Sequence, residues 1–226
     1  MMSINRKFIV FDLDGTLIDS FPFYLANIKI ILSRHGRSLN EDELPHCLGL
    51  PASKFFEEAL GKHLAVEALR ELKTLSMSAI PKIKIFSGIS SLLSSLRNED
   101  KKIALWTSRD QFTTNLVLES TGLLKYFDFI VSGCCVESHK PNPEGLTKIA
   151  TYFLCEPSDL IVIGDHEFDV QAAKAVNAYG IRACWHNFMA PVVCEYAREL
   201  CNDISSLSQR LSGEKMSGES ICHTAR

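Results

Sequence analysis

The stretch Phe8-Ile9-Val10-Phe11-Asp12-Leu13-Asp14-Gly15-Thr16-Leu17-Ile18-Asp19-Ser20 narrows the possible folds of this chain more than any other. It opens on apolar residues that are aromatic or β-branched, the signature of a buried strand. Asp12 and Asp14 follow at the strand's end, and in extended backbone residues i and i+2 point to the same side. Both carboxylates therefore face one small volume. Gly15 then permits a sharp turn, because glycine adopts backbone angles that other residues avoid. Like charges this close repel unless something compensates them. A divalent cation is the natural compensator, and hard Mg²⁺ prefers oxygen ligands. One carboxylate can then stay ionised as a nucleophile while the other serves as acid and base.

From Ser87 onward, strand and helix patterns alternate. Ile89, Leu92, Leu93 and Leu96 share a helical face. Strands are predicted over 102–106, 127–131 and 160–163, with a final one over 181–185. Helices are predicted over 111–120, closed by Gly122, over 143–153 and over 168–176. Asn177 stands where the last of these helices ends, and asparagine tolerates the left-handed conformation needed there. Strands separated by helices of this length predict an α/β fold, a parallel sheet with helices on both faces. Ligands of such sheets bind beyond the carboxyl ends of the strands.

Between the first strand and this alternation lies a block with no strand signal until 82–86. Ser20 suits a helix cap and Pro22 a first helical turn. Tyr24, Ile28, Ile31 and Leu32 recur at helical spacing, and Gly36 ends that helix. Shorter helices are predicted over 41–47, 51–60 and 64–80, separated by Gly49-Leu50-Pro51 and by Gly61. The expected organisation is a core domain of residues 1–19 and 83–204, with a small helical insertion over 20–82. Residues 205–226, rich in Ser, Gly, Glu and Lys, are expected to form a frayed polar tail.

Composition matters mainly for what it excludes. With a net charge of −3, no bulk field attracts nucleic acid or an anionic membrane. No stretch is long and apolar enough to span a bilayer, and residues 1–7 lack the apolar region of a signal peptide. The 8 cysteines are scattered with no C-x-x-C pair, which argues against a zinc or disulfide framework. The expectation is reduced, mostly buried thiols in a cytoplasmic protein, with no nucleic-acid or membrane partner and either a monomeric or a homodimeric state.

Three further stretches carry chemistry. Thr107, in Trp106-Thr107-Ser108-Arg109-Asp110, follows an apolar strand and precedes a helix, where hydroxyls and backbone N–H groups bind phosphate. Taken alone it would read as a helix cap. Lys140, in Ser138-His139-Lys140-Pro141-Asn142-Pro143-Glu144, sits in a loop stiffened by two prolines. Asp165 and Asp169, in Gly164-Asp165-His166-Glu167-Phe168-Asp169, stand at a strand tip and one turn later at a helix start.

In this order and placement, the stretches resemble the four motifs of the haloacid dehalogenase (HAD) superfamily, in its phosphatase branch. The resemblance runs from about residue 8 to residue 185. It implies a Rossmann-like core with a small α-helical cap inserted after the first strand, as in the phosphoglycolate phosphatase and β-phosphoglucomutase group. Ser108 departs from the pattern, since many relatives carry Asn there. Val176-Asn177 replaces a common Ala-Gly.

The resemblance implies that Asp12 attacks phosphorus and forms an aspartyl phosphate. Asp14 would protonate the leaving oxygen and then activate water. Thr107, Ser108 and Lys140 would hold the transferring group. Mg²⁺ would be bound by Asp12, Asp165 and the backbone carbonyl of Asp14, with Asp169 in an outer position. Lys54, on the turn into the 51–60 helix, is a candidate partner for a substrate carboxylate or a second phosphate, although an exposed helix-start lysine is the commoner case. The expected activity is Mg²⁺-dependent hydrolysis of a small phosphorylated metabolite, phosphoglycolate-like. The same residues would serve a β-phosphoglucomutase-like mutase, a pyrophosphatase or a nucleotidase. A phosphate-binding regulatory protein on the same scaffold is the non-enzymatic alternative.

Overall fold

The computed structural model describes residues 4, 6–186 and 194–212. Its centre is a sheet in the order β5-β4-β1-β6-β7-β8. The strands are β1 (Phe8–Phe11), β4 (Lys102–Trp106), β5 (Phe129–Val131), β6 (Leu160–Gly164), β7 (Tyr179–Ala183) and β8 (Glu199–Cys201). All of its pairings are parallel. β1 lies between β4 and β6, with Phe8 level with Lys102 on one side and Leu160 on the other.

Alternation along these strands assigns each side chain to a face. Ile9, Phe11, Ile103, Leu105, Ile161 and Ile163 belong to one apolar cluster. Val10, Ala104, Trp106, Leu160 and Val162 belong to another. The first face is covered by α5 (Ile89–Asn98), α6 (Gln111–Thr121) and α9 (Ile204–Leu211), through residues such as Leu92, Leu93, Val117 and Leu207. The second is covered by α7 (Glu144–Phe153) and α8 (Glu167–Ala175), through Leu146, Ile149, Ala172 and Ala173. Burial on both faces is why the strands read as unbroken apolar runs. Each buried Ile or Leu contributes roughly 1.5–3 kcal/mol of transfer free energy.

The intervening block is helical: α1 (Phe21–Arg34), α2 (Leu44–Gly49), α3 (Ala52–Leu60) and α4 (Lys62–Ala79). Its apolar cluster is separate from the sheet's and includes Ile28, Ile31, Phe55, Phe56 and Ala68. A short antiparallel ribbon, β2 (Ile18–Asp19) with β3 (Lys84–Ile85), joins the chain entering this block to the chain leaving it.

Four expectations are corrected. The strand predicted over 181–185 lies at 179–183 and is not the last: β8 adds beside it, with Ile181 level with Glu199. A three-residue edge strand beginning on a charged residue carries no apolar run to reveal it. The tail does not fray at Ser205. Asp203 caps α9 by accepting from the Ser206 N–H, and Leu207 and Leu211 are buried one turn apart. The rest of the expected tail, residues 213–226, lies outside the described residues. Ser20 occupies the helix-start position but makes no side-chain cap bond. Finally, of the cysteines described, Cys47 and Cys201 are buried, Cys134 is exposed, and the others are half-buried. Among the described residues, no helix is long and apolar enough to cross a membrane.

Candidate active site

The β1 tip starts the site. The Asp12 N–H donates to the Ile163 carbonyl (2.8 Å), so the ladder between β1 and β6 continues one residue past the strand and carries the Asp12 side chain to the sheet's edge. The turn behind it is closed by the Gly15 N–H on the Ile18 carbonyl (2.9 Å). Gly15 has φ +80°, and an added Cβ would lie 2.5 Å from the Phe21 ring and 2.6 Å from Asp165 Oδ2. Only glycine satisfies both demands.

Lys140 reaches the same point from the loop before α7. Its Nζ lies 2.7 Å from Asp12 Oδ1, 2.7 Å from the Trp106 carbonyl and 2.7 Å from Asp169 Oδ1. It also sits 4.7 Å from the centre of the Trp106 ring. Glu144 holds the loop by accepting from the N–H groups of Glu137 (3.1 Å) and Ser138 (2.9 Å). Burial opposes the charge on Lys140, but Asp12 and Asp169 more than offset it, and the ammonium's pKa is raised.

Asp165 and Asp169 come from the β6 tip and the first turn of α8. Asp169 accepts from the His166 N–H (3.1 Å), in the first turn, where a helix favours negative charge. Asp165 donates its N–H to Thr16 Oγ1 (3.0 Å), and its carboxylate lies 3.2 Å from His186 Nε2. Asp12, Asp165 and Asp169 each place an oxygen within 4.8 Å of the others. Burial, then the neighbouring Asp169 and Asp165 charges, push the Asp12 carboxyl well above its usual range, against the pull of Lys140. Burial and Asp169 also raise Asp165, with His186 opposing. A buried set of carboxylates that repel one another to this degree suits a divalent cation, and the all-oxygen donor set suits a hard one.

Asp14 has a different environment. Burial works against its ionisation, but the Arg109 guanidinium and the Ser20 hydroxyl together outweigh it and hold the carboxyl below its usual value. Arg109 Nη2 lies 2.5 Å from Asp14 Oδ1, and Nε lies 3.1 Å from Oδ2. Thr107 is buried at the β4 tip. Its N–H donates to the Val131 carbonyl (3.0 Å), and its hydroxyl accepts from the Arg109 N–H (3.1 Å).

A cavity of about 180 Å³ brings together Asp12, Asp14, Thr107, Ser108, Lys140, Asp165 and Asp169. Lys54 lies apart: it is exposed on α3 and lines neither this cavity nor the larger one of about 640 Å³ that opens beside Asp14. The larger cavity lies between the helical block and the sheet and shares Asp14, Phe21, Leu48 and Ser108 with the smaller one.

Sequence reasoning missed Thr16, Arg109 and His186. Thr16 and Arg109 fall inside stretches already singled out, two residues beyond Asp14 and Thr107 respectively. Position at a strand tip is the usable signal, and it points to Thr16 and Arg109 as well as to Asp14 and Thr107. His186 follows directly on the strand predicted over 181–185, so the same signal applied there too.

A family model described as haloacid dehalogenase-like hydrolase matches residues 9–183. The phosphoglycolate phosphatase of Nitrosospira multiformis is 27% identical over 183 residues, 76% of this chain and 81% of that protein. The pyrophosphatase PpaX of Bacillus velezensis is 27% identical over 180 residues, 78% of this chain and 82% of that protein. A haloacid dehalogenase-like family hydrolase from Streptococcus pneumoniae superposes with a TM-score of 0.78 at 20% identity, covering 89% of this chain and 96% of its own. A match spanning most of the chain, a superposable fold and an acidic site at the sheet's carboxyl edge lead to one conclusion: the chain belongs to the haloacid dehalogenase-like hydrolases.

Proposed function

We propose that this protein is a Mg²⁺-dependent phosphatase that hydrolyses a small phosphorylated metabolite through an aspartyl phosphate on Asp12. The observation that carries the reading is the meeting of Asp12, Lys140, Asp165 and Asp169 in one small cavity with Thr107 and Ser108. Phosphoryl transfer demands positioning and charge neutralisation more than elaborate covalent chemistry, and these residues offer both.

Asp12, Asp165 and the backbone carbonyl of Asp14 would hold the metal, with Asp169 supporting from behind. When bound, Mg²⁺ supplies positive charge against the phosphoryl oxygens and the nucleophile. Asp12 attacks phosphorus as the ester oxygen departs. Lys140, Thr107 and Ser108 hold the transferring group. Asp14, ionised at rest beside Arg109, must first take up a proton from solvent; it gives that proton to the leaving oxygen, then takes one from the water that hydrolyses the aspartyl phosphate. Residues 20–82 act as a cap over a core of 1–19 and 83–204, and Phe21 and Leu48, which border both cavities, exclude water when it closes.

The test is phosphate release from a panel of esters and pyrophosphate, with and without Mg²⁺, for the wild type and Asp12→Asn. Mg²⁺-dependent release that Asp12→Asn abolishes supports the reading. Turnover near wild type in Asp12→Asn removes it.

A further inference from the structure

The cavity beside Asp14 constrains the leaving group. Its volume, about 640 Å³, falls within the ~300–1,000 Å³ of pockets that enclose whole organic ligands. Glycolate would fill a small fraction of it. Apolar side chains form most of the wall: Phe23 and Tyr24 of α1, Leu50 before α3, and Leu69 and Leu72 of α4.

Charge gives a second constraint. Among the described residues, the cations on this wall are Arg109 and Lys73. Arg109 is engaged in the double contact with Asp14. Lys73 is exposed, and Asp110 lines the same cavity. A carboxylate on the leaving group would therefore meet one cation already held by Asp14, one at the exposed rim, and the two carboxylates of Asp14 and Asp110.

The third observation is Asn27 of α1. It lines the cavity, it is 7% exposed, and its Nδ2 has no hydrogen-bond partner among the described residues. A buried amide group left unpaired is unfavourable, and such exceptions are rare in folded proteins. A neutral polar group on a bound molecule would satisfy it.

We propose that the leaving group selected here is a bulky alcohol with an apolar, ring-bearing body and one neutral hydrogen-bonding group directed at Asn27, in place of a short carboxylate such as glycolate. The proposal rests on the phosphatase reading above and narrows it. Phe23 and Tyr24 offer ring faces and edges to an aromatic body. Asn27 contacts the leaving group and not the reacting atoms, so it determines specificity.

The experiment compares kcat/KM, with Mg²⁺, for phosphoglycolate, benzyl phosphate, and benzyl phosphates bearing an acetyl or an isopropyl group on the ring. The leaving alcohols of the benzyl esters have similar acidity, so differences among them report binding. Benzyl phosphate is expected to exceed phosphoglycolate by roughly tenfold or more, the scale of discrimination available to an apolar pocket. The acetyl ester is expected to exceed the isopropyl ester by about fivefold, the worth of one hydrogen bond, and Asn27→Leu should erase that preference. Leu69→Lys, which adds a cation to the apolar wall, should move the benzyl-to-glycolate ratio toward phosphoglycolate by about tenfold. Phosphoglycolate used as well as or better than benzyl phosphate overturns the proposal and leaves the phosphatase intact. An acetyl preference that survives Asn27→Leu overturns the role of Asn27. Failure of every ester, including para-nitrophenyl phosphate, overturns the phosphatase reading and this proposal with it. The wild-type comparisons do not depend on either variant folding.

Discussion

Arg109 grips both carboxylate oxygens of Asp14, with Nη2 2.5 Å from Oδ1 and Nε 3.1 Å from Oδ2. The pair is mostly withdrawn from solvent, with side-chain exposures of 17% and 32%. A two-point contact fixes the plane of a carboxylate as well as its place. Asp14 thus enters the reaction already oriented.

This gives a leaving-group signature. Arg109→Leu should lower kcat/KM for alkyl phosphates, which reports formation of the aspartyl phosphate, by roughly 10–100-fold, the usual effect of losing a residue that orients a functional group. With para-nitrophenyl phosphate, whose leaving group departs without a proton, kcat/KM should change little. Equal losses on both substrates would show that Arg109 serves the fold or the phosphoryl group instead.

Lys140 is the buried counter-charge for Asp12 and Asp169. Removing one partner of a buried ion cluster leaves uncompensated charge, at a cost of about 3 kcal/mol or more. Lys140→Met should therefore be destabilised by about that amount in urea unfolding with chelator present. Mg²⁺ should restore part of the loss, because it replaces the missing positive charge. A variant as stable as wild type in chelator would mean that the carboxylates relieve one another by protonation.

The loop that carries Lys140 has its own pH dependence. The Lys148 side chain, then the N–H groups of Ser138 and Glu137, hold the Glu144 carboxyl down to about 2 from an ordinary 4.5. A folded pKa below the unfolded one stabilises the protein above the unfolded value, and the gain is lost as pH falls through the folded value. Glu144→Gln should therefore be less stable than wild type at neutral pH, with the two converging between about 4.5 and about 2. Urea midpoints at several pH values check this, and a gap that stays constant with pH would contradict it.

Gly164 sets how close α8 can approach β6. An added Cβ would lie 2.3 Å from Asp169 Cγ and 2.4 Å from its Oδ2. Gly164→Ala should push Asp169 away from Lys140 and weaken Mg²⁺ binding by roughly 10–100-fold, while the fold persists. Calorimetric titration of Mg²⁺ measures this without reference to turnover. Unchanged affinity would place Asp169 outside the metal's influence.

Much of this arrangement was legible in the sequence because strand alternation and strand-end position are local properties. The run Phe8–Phe11 announces a doubly buried strand, and the polar residues that follow each strand announce the site's edge. What the sequence hid is non-local. The Asp14–Arg109 contact joins residues 95 apart, and nothing in either stretch states that their side chains meet. The Asp165–Thr16 bond spans 149 positions. Lys54 looked suitable because it lies on the turn toward the site, yet helical phase leaves it exposed while Leu50 and Ala52 line the cavity. The α9 helix was hidden by polar composition, although Leu207 and Leu211 carried the correct spacing.

The most direct test of the central claim is to look for the phosphoryl group on Asp12. Enzyme mixed with a slowly turned-over phosphate ester and Mg²⁺ is quenched in acid during a single turnover, digested and weighed by mass spectrometry. The account requires the mass of one phosphoryl group on the peptide bearing Asp12, rising and decaying in step with turnover and absent from Asp12→Asn. Turnover with no such species at any time, or with the phosphoryl group on another residue, would contradict it.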